Sequence, residues 1–199
     1  MPFGKPIPGE TPLEKEYLAC LKTKGITTRS QLNKLEAENI RKVVVKYLSG
    51  SPTKKTAPFD FAWCLKLHKE MFGDAWTWAG VIRRRDLNIG IAFGQIEPSL
   101  YNLMGDLKFW AELPLIEQAA RLHHKAVEIH PFENGNGRWS RMLANIWLNL
   151  NKHPLTNWPE ETVGERSVIR EEYIAAVQAA DNGDYAAINE LHRRFTSAS

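Results

Sequence analysis

The chain has 199 residues, of which 43% are hydrophobic and 25% charged, so it is long enough to bury a core of its own. A net charge of only +3 gives no electrostatic case for nucleic acid or a membrane surface as partner. Two cysteines, Cys20 and Cys64, make neither a metal spacing nor a disulfide framework, and no secretory or membrane-length apolar run is seen, so a reducing cytoplasm is the expected compartment.

The chain opens with Pro2, Pro6, Pro8 and Pro12, and residues 1–25 are expected to form an extended arm leading into one domain over 26–199. A helix is predicted from Thr28 or Ser30 to Tyr47, on the spacing of Leu32, Leu35, Ile40, Val43 and Val44; Ser49-Gly50-Ser51-Pro52 ends it. A second runs from about Phe59 to Met71, with His68 near its inner side, and Gly73-Asp74 turns the chain. Val81, Ile82, Ile89, Ile91 and Phe93 alternate in part, with turn candidates Asn88, Gly90 and Gly94, which suggests a small β-hairpin over 81–97. Arg83, Arg84 and Arg85 are read as a solvated rim beside it.

Helices are predicted again over about 98–110 and 114–129. The second has an inward face of Leu115, Ile116, Ala119, Leu122, His123, Ala126 and Val127. His123 is read as a hydrogen-bonded core histidine and His124 as peripheral. Two last helices, about 165–180 and 185–195, are joined by the turn Asp181-Asn182-Gly183-Asp184.

Chemistry concentrates in residues 130–141, His-Pro-Phe-Glu-Asn-Gly-Asn-Gly-Arg-Trp-Ser-Arg. Gly135 and Gly137 let successive N–H groups around Asn136 turn inward as a nest for phosphate oxygens. Met142, Leu143, Ile146, Trp147 and Leu150 place that loop at a helix N-terminus, where unpartnered amides and the dipole favour anions. Arg138 and Arg141 lie on the first turn, and two guanidinium forks suit a polyphosphate. His130, with an imidazole pKa ordinarily near 6.5, is placed to accept a proton. Together these residues imply phosphoryl or nucleotidyl transfer. His123, His124 and His130 lack the spacing and adjacent glutamate of a metal hydrolase.

This stretch resembles the signature of the Fic (Fic/Doc) family, His-x-Phe-x-Asp/Glu-Gly-Asn-Gly-Arg-x-x-Arg, at His130, Phe132, Gly135, Asn136, Gly137, Arg138 and Arg141. A second similarity is Met71 to Gly80 with its Trp-Ala-Gly turn, and the whole chain, including the stretch from Ile26 to Asn33, resembles the bacterial subgroup called mobile mystery protein B. The resemblance implies a mainly α, Fic-type helical bundle with a short β-hairpin flap. It implies transfer of AMP from ATP to a Ser, Thr or Tyr hydroxyl of a target protein, with Mg²⁺ (or Mn²⁺) and release of pyrophosphate.

By that resemblance His130 is the general base, Phe132 anchors the loop, the 135–137 backbone holds the α and β phosphates, and Arg138 and Arg141 hold the β and γ phosphates. Tyr173 borders the adenine, and Asn88, Ile89, Gly90 and Ile91 in the flap hold the target by strand addition. Asn134 stands where the family carries its acidic metal ligand; its neutral oxygen implies weaker metal binding, and leaves open another phosphate-group transfer or a catalytically weak nucleotide-binding module. Many members are held inactive by a glutamate paired to the second motif arginine. No clean copy of that inhibitory motif occurs, and Glu36 or Glu38 on the first helix are the candidates to reach Arg141; an inhibitory partner chain is the other route to control.

Overall fold

A computed structural model describes residues 19–26, 28–159 and 168–196. Its described residues form seven α-helices: α1 (Arg29–Tyr47), α2 (Phe61–Phe72), α3 (Ile96–Asp106), α4 (Leu115–Ile129), α5 (Asn136–Leu150), α6 (Val168–Asp181) and α7 (Ala186–Phe195). The mainly α expectation therefore holds, and most boundaries follow local signals. Thr28 closes a capping box with Gln31 at the start of α1, and the Asp60 carboxylate accepts the Trp63 amide at 2.7 Å to start α2. The helix expected over 98–110 starts earlier and tightens into a 3₁₀ turn at Leu107–Trp110.

The main core forms where α1, α2 and α3 pack with α4 and α5; Leu67, Met71, Phe72, Leu122, Phe132, Trp139 and Leu143 are among its fully buried members. Each such large side chain stabilises the fold by about 1.5–3 kcal/mol relative to an exposed one. A second cluster seats α6 and α7 on α4 through Ala120, Tyr173, Ala176, Ala180, Ile188 and Leu191. Most of the expected arm lies outside the described residues, but its last part docks: Lys22 N donates to Ala75 O (2.9 Å) and Thr77 N to Cys20 O (3.0 Å).

Three expectations change. Residues 81–92 form no hairpin ladder; among the described residues the only β-bridges are Leu21 with Trp76 and Thr156 with Thr196. The reason is Arg83, which is not a solvated rim residue but 2% exposed, with its guanidinium donating to the carbonyls of His130 (2.8 Å), Arg85 (2.7 Å) and Ile91 (2.5 Å). One side chain thus folds the segment that strand pairing was expected to fold. His124 is buried, not peripheral, and bonds the Asp181 carboxylate (2.8 Å) and the Tyr185 hydroxyl (3.1 Å).

Candidate functional site

The site is built at the junction of α4 and α5. His130 ends α4 in the left-handed conformation (φ 50°), and Gly135 starts α5 the same way (φ 80°), so two backbone reversals aim residues 130–135 back across the helix ends. Glycine is required at 135: a Cβ there would lie 2.7 Å from the Phe72 ring. The loop is closed from inside. Asn136 Oδ1 accepts the Phe132 amide (2.9 Å) and its Nδ2 donates to the Phe132 carbonyl (2.8 Å), so this asparagine offers a ligand its backbone and not its side chain. Phe132 is fully buried and stacks on the His68 imidazole at 3.6 Å. His68 accepts the Gly80 amide at Nδ1 (2.9 Å), which leaves its Nε2–H to donate to the Asn134 carbonyl (3.0 Å). Burial pushes the His68 pKa down to about 3, with the nearby Arg138 charge acting in the same direction, so this ring is a neutral strut.

His130 is 7% exposed. Its ring bonds the Val127 carbonyl, while among the described residues Nε2 has no hydrogen-bond partner; the proton therefore sits on Nδ1, and Nε2 carries an unshared lone pair that is itself buried. Desolvation first, and the Arg83 charge second, push its pKa down to about 4 against the opposing carbonyl bond, so at neutral pH the ring is uncharged. Gly90 (φ 94°) passes directly over it: a Cβ at that position would stand 2.5 Å from the His130 Cβ. Asn88, Ile89 and Gly90 are exposed and Ile91 half-buried on this crossing segment. Among the described residues the 86–91 backbone makes no backbone–backbone hydrogen bond.

The two motif arginines meet different surroundings. Arg138 lies over the Phe72 ring and pairs with the carboxylate of Glu36, which is 4% exposed and also accepts the Trp76 indole N–H at 2.6 Å. Arg141 is 8% exposed, donates Nε–H to the Gly137 carbonyl (3.1 Å), and lies over Tyr173 (5.1 Å) and Trp158 (5.7 Å). Arg170 and Arg138 are close enough to add to the desolvation that lowers the Arg141 pKa. The start of α5 thus carries Arg138 and Arg141 within electrostatic reach of each other, where the helix dipole also favours an anion.

The first-helix glutamates depart from expectation. Glu36 reaches Arg138 and not Arg141, and Glu38 is an exposed residue paired to Arg41 (2.8 Å) one turn along. Tyr173 is under Arg141 with its hydroxyl bonded to His123 (3.0 Å). The sequence pattern did not single out Arg170, Trp76 or Trp158, gave Arg83 as solvated and marked His68 only as inward; the arginine run and the Trp76 turn were visible, but their partners were not.

The protein oxygens available to a metal are few. Among the described residues no three His, Cys, Asp or Glu side chains converge as a cation cage. Asn134 Oδ1 already accepts the Gly135 amide (2.6 Å) and keeps one lone pair, and Glu133 faces Arg85 (3.4 Å). This donor set fits a Mg²⁺ ion that arrives on phosphate oxygens and takes a single neutral ligand from the chain, and it does not fit a resident ion.

Comparisons with known proteins agree with this geometry. A family model described as Fic/DOC family matches residues 58–148. The Caenorhabditis elegans protein adenylyltransferase fic-1 is 32% identical over 128 residues, 60% of this chain and 24% of that protein. The Drosophila melanogaster protein adenylyltransferase Fic is 30% identical over 152 residues, 71% of this chain and 29% of that protein. The chain thus spans about a quarter of the length of these curated relatives. Among solved structures, C. elegans Fic-1 superposes with a TM-score of 0.55 at 28% identity, over 66% of this chain and 38% of that one. The Bartonella tribocorum BepC protein with bound AMPPNP gives a TM-score of 0.64 at 19% identity, over 96% and 95%, a likeness of fold. Residues 58–148, which carry the α4–α5 loop and both arginines, are the part of the chain that matches the Fic/DOC family.

Proposed function

We propose that the protein is a nucleotidyltransferase that moves AMP from ATP to a side-chain hydroxyl of a target protein. The observation that carries the reading is the His130 ring: its proton is held on Nδ1 by a carbonyl and its Nε2 lone pair is free, in the loop that opens into the arginine-bearing helix. The triphosphate lies along the Gly135–Gly137 amides and the guanidinium groups of Arg138 and Arg141. The target oxygen attacks the α phosphorus as Nε2 takes its proton, a new P–O bond forms, and the bond to the β-phosphate oxygen breaks to release pyrophosphate. Asn134 would hold a Mg²⁺ ion together with the phosphate oxygens, and the ion would supply charge neutralisation there. Asn88 to Ile91 offer unladdered backbone to a target strand laid across Gly90 above the base, beside an open cleft of about 240 Å³ lined by Gly90, Ile91, Val127, Glu128, Val177 and Asp181. The cytoplasm expected from the cysteine usage is the compartment of this reading.

The test is incubation of the chain with ATP labelled at the α or the γ phosphate, Mg²⁺ and host lysate. Label from the α position on a protein is the expected result; label from γ alone identifies phosphate transfer by the same site. Asn134→Asp, which adds a negative ligand, is expected to lower the Mg²⁺ concentration for half-maximal rate about tenfold.

Glu36 is the proposed brake. Its carboxylate occupies Arg138, and a phosphate must displace it to use that guanidinium. Glu36→Gln keeps an acceptor for the Trp76 N–H and removes the competing charge, so ATP affinity is expected to rise about tenfold while the unliganded fold loses a few kcal/mol of stability through the exposed need of Arg138 for a counter-charge. Glu38→Gly, at a solvated pair, is expected to change neither. Calorimetric titration with ATP reads the affinity and urea unfolding the stability; equal ATP affinity in wild type and Glu36→Gln sinks the brake.

A further inference from the structure

Beneath Arg141 runs a line of buried hydrogen bonds that the transfer chemistry does not use: Tyr173 Oη to His123 Nε2 (3.0 Å), His123 Nδ1 to His192 Nε2 (3.0 Å), His192 Nδ1 to Thr156 Oγ1 (3.1 Å), and Thr156 Oγ1 to Thr196 Oγ1 (3.3 Å). Its polarity follows from its far end. Thr196 Oγ1–H donates to the His192 carbonyl at 2.7 Å, and that is its single hydrogen. Thr156 must therefore donate to Thr196, and so accepts from His192 Nδ1–H. His192 and His123 are both fully buried and carry one proton each, burial holding the first at a pKa of about 3 and the second well below its ordinary value. His192 Nε2 then accepts from His123 Nδ1–H, and His123 Nε2 accepts from the Tyr173 hydroxyl. Every bond runs one way, and both histidines hold the Nδ1–H tautomer, the minor form of a free imidazole.

We infer that His123 and His192 are positioning residues for Arg141: the one-way relay from Thr196 locks the Tyr173 ring, and the Arg141 guanidinium lies on the locked ring at 5.1 Å. Trp158 supports the assembly from the other side, 5.7 Å from the guanidinium and edge-on to His123, His192 and Tyr173. The relay ties α4, the strand-like turn at Thr156 and α7 to a ring on which Arg141 lies, so the packing of the second core cluster sets how well the outer phosphates are read. This inference rests on the reading of Arg141 as a triphosphate ligand. A bulky core would fill the same space without polar groups; a directional chain instead fixes both the ring plane and which way the phenol hydrogen points.

Long-range ¹⁵N NMR of the wild-type histidines reads the relay with no nucleotide present. Nδ1–H at both His123 and His192 is expected; Nε2–H or imidazolium at either overturns the relay. His192→Leu and Tyr173→Phe are then compared for the ratio of triphosphate to AMP affinity, with circular dichroism verifying the fold. The ratio is expected to fall about tenfold in both, the effect of one buried bond lost. His192→Gln, whose Oε1 can still accept from His123 Nδ1–H, is expected to restore it. An unchanged ratio in folded His192→Leu and Tyr173→Phe, with the tautomers as expected, overturns the positioning role. Wild-type chain that binds no triphosphate at all overturns the functional reading and the positioning role with it, and the tautomers tell this case from a failed relay.

Discussion

Replacing His130 with alanine is expected to lower AMP transfer by roughly 10²–10⁴-fold, the range for loss of a placed general base, with ATP binding retained because the glycine loop and arginines are untouched. The pH dependence sharpens the expectation. An imidazole with its ordinary pKa near 6.5 would make kcat/KM fall by half at that pH. His130 is pushed down to about 4, so the free enzyme stays in its basic form and kcat/KM should be flat from pH 8 to about 5.5. Bound triphosphate brings negative charge that favours the imidazolium, so the acid limb of kcat should lie higher than that of kcat/KM. The lowered value makes the ring a weaker base in the free enzyme, and the substrate itself restores part of its strength when the proton must move. Activity retained in His130→Ala removes His130 from the mechanism; a kcat/KM limb at 6.5 with His130→Ala inactive would mean instead that the ring is not desolvated in the free enzyme.

What could be read from sequence was what short-range rules govern. The α4 and α5 helices, the left-handed glycine between them and the placement of Arg138 and Arg141 on a first turn all depend on residues within one or two turns of each other. The connections that complete the site span the chain: Glu36 meets Arg138 across 102 residues, His68 meets Asn134 across 66, and Arg83 meets His130 across 47. No periodicity encodes such pairs. Glu36 shows why: on α1 it is one carboxylate among Glu36 and Glu38, and only the approach of Trp76 and Arg138 separates a buried ligand of the site from its solvated neighbour. Arg83 misled for a related reason. A run of three arginines reads as solvent-facing because a buried guanidinium needs several acceptors, and here loop carbonyls from two segments supply them.

The same buried imidazoles are expected to make the fold acid-labile, in a window where carboxylates contribute little. His68 and His192 are pushed down to about 3, His130 to about 4, and His123 well below its ordinary value, in each case by desolvation foremost. The sign follows from proton counts. Above pH 6.5 these rings are neutral in both folded and unfolded chains and cost nothing. As pH falls below 6.5 the unfolded chain takes up protons that the folded chain refuses, so stability is lost progressively down to the folded pKa. The slope is about 1.4 kcal/mol per pH unit for each independent histidine. Counting the His123–His192 pair as one group beside His68, about 5 kcal/mol is lost by pH 4.5, comparable with the 5–15 kcal/mol that holds a domain of ordinary stability. Urea unfolding followed by tryptophan fluorescence should therefore give a stability that falls steeply between pH 6.5 and 5, before most carboxylates titrate. His68→Gln, a neutral side chain with a donor and an acceptor, should lower the stability at pH 7 yet flatten that slope by about one histidine's share. A stability constant from pH 7 to 5 would mean that the His68 strut and the His123–His192 relay are open to water, and the site they hold would have to be built another way.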